Sequence, residues 1–199
     1  MSESSMTSGG APANEPAPVW PDAPRYCPQR TFPAYRFVPG RSPHPITDPR
    51  GHSHGLAESR VQSLDDGWRT NESYLFGVDL YHQGYLWESH EAWEALWKDR
   101  RGDFPSRYLQ GLIQNSAALL KIHAGRSRGV SILSRKSLGH LRAVAAHCHL
   151  HGWPHYMGLN VAGFIHEIER YFGSVWNAEN PFKPLRPNGN PPRIQLHLD

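Results

Sequence analysis

The chain has 199 residues, a mass of 22.5 kDa, a net charge of +3 and a pI near 9.0, enough for one sizeable core or a smaller core with long arms. Charge or glycine breaks its apolar stretches well short of a membrane span, which excludes a transmembrane helix. The start MSESSMTSGGAPANEPAP lacks the basic and apolar regions of a secretory signal, and Cys27 and Cys148 make neither a disulfide framework nor a CxxC zinc site, so the chain reads as cytoplasmic.

Of the 18 prolines, 11 fall between Pro12 and Pro49 and five lie beyond Glu179, so regular structure is expected in between. Residues 1–24 are small and polar and are expected to be disordered. Residues 25–67 differ: Tyr26, Phe32, Tyr35, Phe37, Val38 and Ile46 among prolines predict an extended arm lying on the core. Helical periodicity spans 68–173. Asn71 caps a first helix that ends at Gly84, and a second runs from about Tyr85 to Arg100. Asp103 caps a third, with Pro105 in its first turn and Gly125 at its end. A fourth covers about Ser127 to Leu150, and a fifth opens at Asn160 and closes at Gly173. No period-two run survives in the middle, so the fold class is all-α: a compact bundle of about five helices with a Pro-rich N-terminal arm and an irregular C-terminal tail over 174–199. In that tail Ile194, Leu196 and Leu198 alternate, as in an edge-like extended piece.

Charge is unevenly placed. Between Thr70 and Trp97 every charge is acidic: Glu72, Asp79, Glu88, Glu91 and Glu94. Between Phe104 and His166 no Asp or Glu occurs, while Arg107, Lys121, Arg126, Arg128, Arg135, Lys136 and Arg142 are basic. An acidic and a basic helix packed side by side account for this more simply than a nucleic-acid surface, because no nucleic-acid motif accompanies the basic stretch.

The densest chemical signal is Trp87-Glu88-Ser89-His90-Glu91-Ala92-Trp93-Glu94-Ala95-Leu96-Trp97. At about 100° per residue, Leu86, Trp93 and Trp97 share one stripe, His90 sits about 40° from it and is expected to enter the core with Glu94 one turn away on its flank, Glu91 lies further round and Glu88 faces the opposite way. On the third helix Gln110, Gln114 and Lys121 fall to one side of Ile113, in the same rotational sense as Glu94. The short turn at Gly102 makes these helices antiparallel neighbours, with Glu94 level with Gln110, His90 and Glu91 near Gln114, and Lys121 further along, near the first helix.

Such a seam is either a satisfied polar contact that sets register or a pocket for a small polar or anionic ligand walled by the three tryptophans. In the second reading Glu91 and Glu94 accept hydrogen bonds, His90 orients them, Gln110 and Gln114 read polar edges, and Lys121 counters negative charge. His90 and Glu94 at i,i+4 also suit one metal ion, although HExxE departs from HExxH, and a hydrolase on that pattern needs a third ligand from His44, Asp48, His52 or His54 of the arm. His52 is the arm candidate carried forward. His140, His147 and His151 repeat along a flank of the fourth helix and read as solvent-edge residues; Cys148 reads as core. No GxSxG or Gly-rich phosphate loop is present, and the sequence leaves the cofactor unknown.

The order G-x-Y-x-x-x-H-E-x-W-E-x-x-W, then QGLIQ-x-x-A-A-L-x-K, resembles the domain-of-unknown-function 309 family over roughly Trp68 to Phe172. The motif residues match at His90, Glu91, Trp93, Glu94, Gln110, Gly111, Gln114 and Lys121. The resemblance implies a small all-helical protein and brings no reaction with it. Pro43-His44-Pro45 and Gly51-His52-Ser53 resemble an extension of longer members, and the Tyr81…Gly84-Tyr85 turn looks tetratricopeptide-like, although no 34-residue repeat follows. A non-catalytic module for a protein or nucleic-acid partner is the third reading.

Overall fold

Asn71 is buried and its side chain accepts a hydrogen bond from Tyr74 N–H at 2.9 Å, which opens α1 (Glu72–His82). Gly84, at φ 79°, makes the turn into α2 (Leu86–Lys98). Asp103 caps α3 (Phe104–His123) through Ser106 N–H at 2.8 Å, with Pro105 where a missing N–H is tolerated. Then come α4 (Ser127–Leu150) and α5 (Val161–Trp176). The computed structural model describes residues 18–56, 62–64, 67–98, 100, 102–176 and 189–199; residues 1–17 of the segment 1–24 expected to be disordered, and residues 177–188 of the tail, lie outside them.

The five helices fall where the periodicity predicts. α5 runs three residues past Gly173, because Val175 is buried and the Trp176 indole donates to Ser134 on α4 at 2.8 Å. Each helix packs on the next in sequence, as short connections require. α3 lies between α2 and α4 and is buried on most of its circumference. Trp93, Tyr74, Tyr81, Tyr108, Phe164 and Phe172 are fully buried, and each such side chain contributes roughly 1.5–3 kcal/mol. Two close approaches depend on glycine. A Cβ on Gly77 would collide with the Trp93 ring, and one on Gly111 would stand 2.6 Å from Leu141 of α4.

The Pro-rich arm lies over α1 and α2. Asp79, with a side chain fully removed from solvent, accepts hydrogen bonds from Arg25 Nε (2.9 Å), Tyr26 N (2.8 Å) and Cys27 N (2.9 Å). Phe32 stacks on Phe76 and Tyr85, Arg36 Nε donates to Gln83 O, and Tyr85 Oη donates to Pro33 O. Trp20, near the start of the described chain, donates its backbone N–H to His82 O at 2.7 Å. The alternation expected in the tail appears as burial of Ile194 and Leu196 with Leu198 half-exposed; Leu196 forms one antiparallel bridge with Leu159. The tail also ties the bundle together, since Tyr81 Oη donates to Pro192 O and Leu196 N–H to Tyr26 Oη. Among the described residues no helix is long and apolar enough to cross a membrane.

Candidate functional site

The inward face of α2 is Leu86, Ser89, Trp93 and Leu96, all buried. Ser89 and Ser116 share a hydrogen bond of 2.6 Å, and Ser116 Oγ also donates to Leu86 O. This pair sets the antiparallel register of α2 and α3. Counting along both helices from it, Glu91 stands level with Gln114 and Glu94 close to Gln110. Trp93 is turned towards α1, its Nε1 donating to Tyr74 O at 3.2 Å. It is therefore core, whereas Trp87 and Trp97 remain only partly buried.

His90, Glu91 and Glu94 form one cluster. A ligand-capable atom from each lies within 4.8 Å of the others, and all three side chains are half-buried. His90 Nδ1 and Glu91 Oε1 are 3.2 Å apart, and Glu94 reaches Lys98 one turn on at 3.5 Å. An imidazole and two carboxylates concentrate acceptor atoms at one point on the edge of α2.

Gln110, Gln114 and Lys121 lie on one half-buried stripe of α3. The Gln114 side-chain oxygen is buried and meets no hydrogen-bond partner among the described residues. The aliphatic stem of Lys121 lies against Gly129 of α4, 3.2 Å from where a Cβ would stand, because α4 folds back along the last turns of α3. No hydrogen bond or ion pair among the described residues joins Gln110, Gln114 or Lys121 to the three α2 groups. The serine pair and the helical period put the two sets at matching heights on neighbouring helices.

The arm residues considered as a third metal ligand are engaged elsewhere. His52 Nε2 is 3.0 Å from Glu88 Oε1, and Glu88 points away from the crevice. His44 Nδ1 accepts from Ile46 N and Thr47 N, Asp48 pairs with Arg50, and His54 Nδ1 meets Ile46 O. The third ligand-type group beside His90 and Glu94 is Glu91.

Two buried carboxylates carry the arm, and sequence reasoning singled out neither. Glu88 accepts from Phe37 N at 2.9 Å as well as facing His52, and burial raises its pKa above the usual carboxylate range. Asp79 is the other. The available signal was an acid among the apolar residues of α1, between Val78 and Leu80. On α4, His147 packs on Phe104 and His151, and His151 on Trp153, so these two histidines belong to an aromatic cluster.

Residues 74–133 match the family model described as Domain of unknown function (DUF309). This is the family the paired motifs resemble, over a shorter span than Trp68 to Phe172, and it takes in α1, α2, α3 and the start of α4. No curated protein and no solved structure matches the chain.

Proposed function

We propose that the crevice between α2 and α3 in this DUF309 domain binds a small ligand that brings positive charge or hydrogen-bond donors, best matched by a divalent cation. The single observation that supports this is the convergence of His90, Glu91 and Glu94 within 4.8 Å. One imidazole and two carboxylates suit zinc or manganese. Three protein ligands leave coordination positions for water or substrate, and a metal lowers the pKa of bound water. The hydrolase reading follows from that open position, with Glu91 in the place earlier assigned to an arm histidine. An anionic ligand is the poorer match without a metal, because two carboxylates face it and the Lys121 stem lies against α4.

The test is calorimetric titration of tag-free, chelator-treated protein with Zn2+ and with Mn2+. One saturable site is expected, weakened at least about tenfold by Glu94→Gln or His90→Asn, with unchanged helical circular dichroism. Equal affinity in folded variants, or no binding in the parent, would sink the proposal.

A second reading has its own support in the buried, unpartnered oxygen of Gln114, which suits a neutral or cationic donor without metal. A ligand screen by thermal shift separates the two. The metal-free reading requires a compound whose stabilisation survives chelator and is abolished in the folded Glu91→Ala/Gln114→Ala variant.

A further inference from the structure

A cavity of about 300 Å³ opens beside the α2–α3 turn, away from the crevice, and Trp68, Trp153 and Tyr156 are among its walls. Its volume lies at the lower end of the range for small-molecule sites. Trp153 is 47 % exposed, an uncommon position for a tryptophan, yet it is held in place by ring contacts with His147, His151 and Tyr156. The adjoining wall is a two-residue hairpin closed by reciprocal hydrogen bonds between Tyr156 and Leu159. Met157 there sits at φ 46°, a conformation that non-glycine residues seldom adopt.

Two contacts hold that strained turn. Tyr74 Oη donates to Met157 O at 2.8 Å. Gly158, at φ 79°, leaves room for the Trp68 ring, which would stand 2.7 Å from a Cβ, and for His197 O at 2.9 Å. Backbone strain kept by surrounding contacts is a recurrent mark of preorganised binding surfaces. The polar groups are few: a guanidinium paired with an acid, an imidazole and a phenol. Arg100 lines one side, its Nε held by Asp103 at 2.7 Å, and His155 lines another. A second cavity of about 220 Å³ shares Trp68, His155 and Met157 with the first and adds Arg69, the stacked His197 and the acid Asp199.

We infer that this aromatic cleft is a second binding site, distinct from the α2–α3 crevice, for a planar aromatic molecule bearing a carboxylate or similar anion. The ring lies among Trp68, Trp153 and Tyr156, and the anion points to the Arg100 and His155 side.

Three probes that share one ring test it on the full chain: indole-3-acetate, indole and tryptamine, followed by ligand-observed NMR and calorimetry. Indole-3-acetate is expected to bind saturably and tightest, tryptamine weakest. Trp153→Ala should weaken indole-3-acetate about tenfold, the worth of one aromatic contact, while Glu94→Gln at the crevice leaves it unchanged. His155→Gln, a second variant on the cavity wall, should narrow the difference between indole-3-acetate and indole. Absence of saturable binding, unchanged binding in folded Trp153→Ala, or tryptamine binding as tightly as indole-3-acetate would each overturn the inference. If Trp153→Ala does not fold, unchanged discrimination in His155→Gln overturns it instead.

Discussion

Glu88 of α2 and His52 of the arm face each other at 3.0 Å, with side-chain exposures of 6 % and 7 %. The same carboxylate oxygen accepts Phe37 N–H, and His52 Nδ1 lies 2.9 Å from Ser53 Oγ, so one buried acid clasps two stretches of arm. Removing one partner of such a pair leaves the other buried and uncompensated. Glu88→Ala and His52→Ala should each cost about 2–4 kcal/mol and expose residues 33–55 to proteolysis while helical circular dichroism is retained. Glu88→Gln keeps an acceptor for Phe37 N–H and should cost less. Because burial raises the Glu88 pKa, its contribution is fully present below the unfolded value of about 4.3 and is lost as pH rises through the folded value. Glu88→Gln should therefore flatten the fall in stability just above the ordinary carboxylate range, read from denaturant midpoints against pH.

Asp79 is the second anchor of the arm. Its three hydrogen bonds come from Arg25, Tyr26 and Cys27, two of them from backbone N–H groups. Asp79→Ala should destabilise by about 3–5 kcal/mol, since it orphans those donors. Arg25→Ala should cost under about 1 kcal/mol, because its side chain is 31 % exposed and the backbone bonds survive. Equal losses for the two variants in urea unfolding would contradict this ranking.

Gly111 belongs to the QGLIQ motif for a steric reason that needs no ligand. An alanine Cβ would stand 2.6 Å from Leu141, and Ser137 Oγ donates to Gly111 O at 2.7 Å, so α3 and α4 have no room to part. Gly111→Ala should cost about 1–3 kcal/mol. Leu141→Ala in the same chain should recover part of that loss, which a double-mutant cycle measures directly.

His82 supplies an acid-sensitive element. Burial, with the Arg193 charge beside it, lowers its pKa to about 4. A histidine depressed in the folded state contributes stability that is present above its unfolded value of about 6.5 and is lost as pH falls through the folded value. The whole effect is about 3 kcal/mol. His82→Phe should remove that part of the decline between roughly pH 6.5 and pH 4; an unchanged slope in the folded variant would exclude His82 as its source.

Cation binding at the crevice carries a stability signature of its own. Mn2+ at 100 times its dissociation constant should stabilise the parent by about 2.7 kcal/mol. EDTA should reverse the shift, and Glu94→Gln should abolish it. A rise in melting temperature that persists in Glu94→Gln would place the ion elsewhere.

The limits of sequence reading show in α2. Periodicity placed Leu86 and Trp93 inward correctly, because a helix turns by a constant angle, but it also sent His90 into the core, where the structure instead buries Ser89 and leaves the His90 side chain 27 % exposed. The same arithmetic turned Glu88 away from the bundle and left it unassigned. What covers Glu88 is His52, 36 residues earlier in the chain, and no local period encodes that meeting. The stripe of Lys121 was legible, but only the fold shows that α4 lies back over it, with Gly129 against its stem.

Local spacing thus determined the five helices, most of their caps and the juxtaposition of His90, Glu91 and Glu94, since each depends on residues within one or two turns. Only the tertiary structure decided how the arm is held by Asp79 and Glu88, that the Gln114 oxygen is buried without a partner, and that a strained hairpin at Met157 borders an aromatic cleft. Burial of a polar group and the shape of a cavity depend on which distant segments lie over a residue, and that arrangement follows from packing the whole chain at once.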